Sequence, residues 1–334
     1  MKARKLHDFF IFAQKYTLES MIKMVSFWAY DIYRNPDINM GGFSGKRFYQ
    51  SKTYPVMLVQ TWLIDLVYDL IKYNRYGQSS ISQHEALKLI GLYNDYKDDT
   101  DHTPYNKKDI FLYLYGFFGE QCRFQNNSFL EEFAREKYIL ETVSNYPEAN
   151  ACGINFKDEF EQETSFSPDV YSANIFTIFS VFYSMTTGGT KREIIKYFKS
   201  SPINGNDIAD IIDENSISIE NIRNHPLGRQ SLYIKPIIKF EEKYISVNPY
   251  LLLALFANSN YWILRNKYYK LKSQKFINAF GIYFEKYVEE LLGRCLSENE
   301  YMKVPECNVQ KRADWKLNVL VLISWLNKNL HCLF

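Results

Sequence analysis

The sequence contains no CxxC pair. Its five cysteines, Cys122, Cys152, Cys295, Cys307 and Cys332, are scattered and odd in number, a distribution that fits neither a structural zinc site nor a disulfide framework. They read as ordinary thiols of a reducing compartment, so a cytoplasmic setting is expected. Charge of one sign is missing too. Lys and Arg number 40 against 38 Asp and Glu, a net charge of +2, which excludes the strong overall field of a dedicated nucleic-acid binder and leaves only local binding. No signal peptide is expected, because the apolar run behind the basic N-terminus is only Phe9–Ala13 before Gln14 and Lys15. A bilayer-length run without polar groups is likewise absent. Val170–Thr190 carries Ser172, Asn174 and Thr177, and Val247–Leu264 carries Asn248, Asn258 and Asn260. Polar groups are costly at mid-bilayer, so both are expected to be buried helices and no membrane partner is expected. No internal repeat and no low-complexity tract occurs.

What is present is a large apolar share, 46% of 334 residues, enough to bury the core of one large domain or two ordinary ones. Apolar residues at three-to-four spacing, from Phe9 and Phe12 through Met21, Val25 and Trp28, predict a helix over Leu6–Arg34, ended by Asn35-Pro36. A second helix is predicted over Tyr54–Tyr73. Ser82 to Glu85 has the form of a capping box that opens a third, running to Tyr96. Lys107–Cys122 and Ser128–Ser144 read as two more. Three motif-like strings fail on spacing. Gly41, Gly45 and Lys46 are one residue short of a phosphate loop, with Arg47 where Ser or Thr should follow; His84-Glu85 has no second histidine for a zinc protease. Asp95, Asp98, Asp99 and Asp101 lack the glycine and closing glutamate of a calcium loop and read as a solvated connection.

The stretch 147–168 is polar and acidic and is expected to be a linker or surface excursion. Asp169–Met185 reads as a buried helix, Gly188-Gly189 as its stop, and Thr190 to Glu193 as the next capping box. That pattern describes any helical hairpin, and a DNA-reading helix-turn-helix among them. Polar loops are expected from Ser201 to Arg229. Alternation through SLYIKPIIKFEEKYISVN then predicts a β-hairpin around Glu241-Glu242, before Asn248-Pro249 opens another helix. The expected fold is mainly α: a large helical domain over 1–146, a linker at 147–168, a helical hairpin region over 169–229, and a small α+β portion over 230–334.

Local binding has one candidate. Arg265, Lys267, Lys270, Lys272 and Lys275 follow one another with no acid among them, and Tyr268, Tyr269 and Phe276 are interleaved. Cations neutralise phosphates and aromatic faces stack bases, so the stretch 262–275 is the expected nucleic-acid contact.

Beyond it, Asn278-Ala279-Phe280-Gly281-Ile282-Tyr283-Phe284-Glu285-Lys286-Tyr287-Val288 resembles the leading helix of restriction-endonuclease-like, PD-(D/E)XK-type nucleases. The resemblance implies that Glu285 supports a metal site, that Asp314, in Lys311-Arg312-Ala313-Asp314-Trp315, binds Mg²⁺ from a following strand, and that Glu-x-Lys comes next. No acidic residue follows Asp314, and Lys316 and Lys328 have no partner at the required spacing. The resemblance covers about Phe276 to Lys316. It implies a truncated or degenerate nuclease-like module that acts by binding, with Mg²⁺ as cofactor only if a carboxylate from elsewhere completes the site.

Tyr (27) and Phe (25) are abundant beside Lys, Asn and Ile, amino acids with AT-rich codons. AT-rich coding, a large helical region and a nuclease-like remnant together resemble the phage-exclusion, or abortive-infection, proteins of bacterial mobile elements. That likeness implies antiviral defence, with nucleic acid or a phage or host protein as partner. The alternatives are an active Mg²⁺-dependent nuclease and a helical protein-interaction or regulatory module.

Overall fold

The computed structural model describes residues 2–35, 46–50, 55–73, 77–101, 129–147, 153–197, 205–271, 274–296, 301–303 and 315–317. Over these the chain is mainly helical with a minor sheet portion, the class expected from its apolar spacing. It forms two compact units, Met1–Asn127 with Ala173–Phe256, and Ser128–Ser172 with Ala257–Phe334.

In the first unit, helices Lys2–Ala13 and Leu18–Arg34 replace the single helix predicted over Leu6–Arg34. A crossing segment causes the break. The Thr17 N–H donates to the Ser79 carbonyl at 2.9 Å and the Gly77 N–H to the Tyr16 carbonyl at 3.0 Å, which takes both residues out of the helical ladder. Only glycine fits at 77, where a Cβ would lie 2.3 Å from the Lys15 carbonyl carbon. Thr17 then caps the second helix by accepting the Ser20 N–H. Tyr54–Tyr73 also divides. Strands β1 (Lys46–Gln50) and β2 (Pro55–Val59) pair antiparallel, and the helix is Gln60–Tyr73. Val56 to Val59 is a short unbroken apolar run, as suited to a buried strand as to a helical turn. The next helix, Gln83–Asp101, opens on the expected Ser82–Glu85 capping box and runs through the aspartates read as a loop.

A four-stranded sheet of order β3-β6-β5-β4 completes this unit, with β3 at Gly189–Thr190, β4 at Ser216–Ser218, β5 at Ile237–Phe240 and β6 at Lys243–Ser246. The expected hairpin is β5 and β6, whose turn places Glu241 at φ 47°. Strand β4, parallel to β5, and the helices Gly205–Glu214 and Ile219–Asn224 occupy the region read as polar loops. The Thr190–Glu193 capping box forms, but the helix it opens, Lys191–Lys196, has 6 residues and follows a strand. That is a sheet edge and not a helix-turn-helix. Phe9, Val25, Ile64, Ile90, Ile238 and Ile245 belong to one buried cluster, each contributing about 1.5–3 kcal/mol by leaving water. A polar link runs beside it. Gln60 Nε2 donates to the Ala29 carbonyl at 2.8 Å, Asn248 Nδ2 donates to Gln60 Oε1 at 2.5 Å, and Asn248 Oδ1 accepts the Tyr250 N–H at 2.9 Å.

In the second unit, helix Phe129–Lys137 passes into a π-helical segment, Tyr138–Thr142, and a 3₁₀ turn, Val143–Asn145, where one α-helix through Ser144 is predicted. The 147–168 stretch, read as a linker, carries the helix Phe156–Thr164, capped by Asn155. Phe156 and Phe160 are fully buried while Asp158, Glu161 and Glu163 face outward. Composition alone hid this helix. Phe156 lies 4.2 Å, ring centroid to centroid, from Tyr283 and 5.3 Å from Phe276 on the helix Lys275–Cys295, and the Tyr283 hydroxyl donates to the Ile154 carbonyl at 3.0 Å. That helix is followed by β7 (Tyr301–Lys303) paired antiparallel with β8 (Trp315–Leu317). Among the described residues no helix is long and apolar enough to cross a membrane. The predicted helix 107–122 and the glycine-rich loop at 40–45 lie outside the described residues.

Candidate functional site

The basic stretch begins on the helix Pro249–Lys270, whose residues from Ala257 onward lie in the second unit, and reaches the start of the helix Lys275–Cys295. Leu264 and Tyr268 are buried there, whereas Trp262 is 53% and Tyr269 70% exposed. Seven residues make almost two turns, so Trp262 and Tyr269 share one face, with Arg265 between them. The Arg265 guanidinium lies 5.5 Å from the centroid of the Tyr269 ring, a cation–π arrangement that keeps a positive charge beside an open aromatic plane.

The other expected cations are placed differently. Lys267 pairs with Glu159 at 2.7 Å and reaches Glu163 at 3.8 Å, and Lys275 Nζ donates to the Gly153 carbonyl at 2.9 Å. Lys270 ends the helix, and Lys272 lies outside the described residues. Of the interleaved aromatics, Tyr268 and Phe276 are buried, their rings stacked 5.8 Å apart, so they serve packing. The interleaved set Tyr268, Tyr269 and Phe276 thus holds one exposed ring, Tyr269, and leaves out Trp262. The i, i+7 spacing of Trp262 and Tyr269 is the sequence signal that separates an exposed face from a buried one.

Glu285 is half-buried on the helix Lys275–Cys295. Asp314 lies outside the described residues, directly before β8, so the expected pairing of the two is not placed. Among the described residues no three His, Cys, Asp or Glu side chains form a group able to hold a metal. The described carboxylates therefore do not supply a Mg²⁺ ligand set.

A polar cleft of about 470 Å³ opens along the last turns of the same helix, lined by Tyr146, Lys286, Glu289, Glu290, Gly293 and Arg294. Spacings of three, four, seven and eight residues bring the helical members to one side. Glu290 accepts hydrogen bonds from Tyr146 at 3.1 Å and Tyr138 at 3.3 Å, while Arg294 donates to the Tyr138 hydroxyl at 2.9 Å and lies 5.0 Å from its ring centroid. The π-helical winding presents Tyr138 here, and such segments recur at functional sites. Hydrogen bonding with Tyr138, partial burial and the Glu290 carboxylate push the Tyr146 hydroxyl pKa upward, so it remains a neutral donor. Lys286 pairs with Glu289 at 3.0 Å. With Lys286 and Arg294 set against Glu289 and Glu290, the cleft carries no strong field of one sign.

Compared with protein-family models, curated proteins and solved structures, the chain matches none.

Proposed function

We propose that this chain acts by binding and not by cutting: it holds nucleic acid on the Trp262–Tyr269 face, as a cytoplasmic antiviral-defence protein of the phage-exclusion, or abortive-infection, kind. The observation that carries the reading is the exposed aromatic pair with the Arg265 guanidinium lying over one ring. It joins phosphate neutralisation to base stacking, the two forces that hold nucleic acid without sequence readout. The test is an anisotropy titration with a labelled oligonucleotide over a salt series, run beside a Mg²⁺ cleavage assay. Affinity should fall as salt rises, Arg265→Ala should weaken it, and no fragments should form. Mg²⁺-dependent fragments abolished by Asp314→Ala would instead establish the nuclease alternative.

A protein-interaction module is the second reading, favoured by one feature. On the helix Lys275–Cys295, Ile277, Gly281, Phe284, Val288 and Leu291 follow a heptad spacing, and Ile277, Phe284 and Leu291 are exposed. A phage or host protein that co-purifies with the chain, and is lost on Phe284→Glu, would establish it.

A further inference from the structure

We infer that the ligand of the Trp262–Tyr269 face is a single strand of nucleic acid, held by stacking of unpaired bases with Arg265 on the intervening backbone. This rests on the nucleic-acid reading above. A duplex keeps its base faces inside its own stack and offers phosphates and groove edges, so it rewards cations and hydrogen-bond donors. Among the described side chains the face offers the reverse. Trp262 and Tyr269 present open rings, while Lys267 is committed to Glu159 and Glu163 and Lys275 to the Gly153 carbonyl. Arg265, its guanidinium 5.5 Å from the centroid of the Tyr269 ring, supplies a positive charge beside that ring for the backbone of a strand stacked on its exposed side.

The spacing sets the length of strand required. Seven helical residues rise about 10 Å, roughly three steps of a stacked strand at about 3.4 Å per nucleotide. A ligand must therefore span about four nucleotides to engage both rings. Flanking Asn266, on the same face, adds a polar side chain able to contact base edges without demanding a particular base.

The experiment compares the full chain with Trp262→Ala, Tyr269→Ala, Tyr269→Phe and Arg265→Ala variants. Labelled DNA and RNA strands, and the DNA duplex of the same sequence, are titrated by anisotropy, and a thermal melt checks the fold. The strand of either sugar should bind at least about tenfold tighter than the duplex, each alanine at an aromatic should cost about tenfold, and Tyr269→Phe should retain affinity. Dinucleotides should bind far more weakly than tetranucleotides. Equal binding of strand and duplex, or aromatic variants without effect while Arg265→Ala weakens binding, would overturn the stacking inference and leave nucleic-acid binding standing. Binding of none of the three ligands would overturn both.

Discussion

The Glu136 carboxyl group accepts the backbone N–H of Tyr261, on the helix Pro249–Lys270, at 2.5 Å. Glu136 is nearly fully buried, and burial pushes its pKa up to about 8, against the opposing pull of the Tyr261 and Asn260 N–H groups. Glu132 raises it further and Arg135 lowers it. At neutral pH the group is therefore mostly protonated.

A pH dependence of stability follows, with a definite sign. A carboxyl whose pKa rises from its ordinary 4.5 to about 8 in the fold binds its proton more tightly when folded. Its stabilisation is complete below the lower value and is lost as pH rises through the upper one. Chemical denaturation should show stability falling by roughly 3–5 kcal/mol across that window. Glu136→Gln should flatten the profile and exceed the wild type at high pH. A wild-type profile that rises with pH would contradict the assignment.

The same residues show what the sequence discloses and what it hides. Capping boxes at Ser82–Glu85 and Thr190–Glu193 are local chemistry, and both form as read. The hairpin at Glu241-Glu242 is legible for the same reason. Residues 147–168 are not, because exposed acids outnumber the phenylalanines that bury the helix Phe156–Thr164. Pro55–Val59 is equally opaque. Its apolar run lacks a period, and only pairing with Lys46–Gln50 makes it a strand. At the candidate site, the run of cations is visible in sequence, but which of them faces Glu159 or Tyr269 depends on helical phase and on partners about 100 residues away.

The buried link from Ala29 through Gln60 to Asn248 gives a second prediction. Asn248→Ala would leave Gln60 Oε1 without its 2.5 Å donor and remove the acceptor of the Tyr250 N–H. A loss of about 2–3 kcal/mol is expected in urea denaturation, as an orphaned buried acceptor and a lost helix cap together cost. An unchanged midpoint would show the link to be dispensable.

Phe156→Ala should be more costly. Its ring is fully buried against Phe276 and Tyr283, and truncation of such a ring costs about 3–5 kcal/mol. Hydrogen exchange should quicken first in the helices Phe156–Thr164 and Lys275–Cys295. Uniform loss of protection, starting equally in the sheet around Ile238 and Ile245, would place Phe156 in one cooperative unit with that sheet.

Substitution at the nuclease-like positions should leave binding intact. Glu285 is away from the Trp262–Tyr269 face in sequence, and neither Glu285→Ala nor Asp314→Ala removes a cation or an exposed ring. Oligonucleotide affinity within about twofold of wild type is expected for both variants, because the proposed contact is made by Trp262, Arg265 and Tyr269. A large loss from either variant would move the contact toward those carboxylates.

Single-strand binding at the Trp262–Tyr269 face is tested most directly by photocrosslinking the intact chain to a single strand carrying 4-thiouridine and mapping the modified peptide. Crosslinks are expected at Trp262 or Tyr269 and should disappear when both are alanine. Crosslinks confined to peptides outside residues 262–271, unchanged in that double variant, would contradict it.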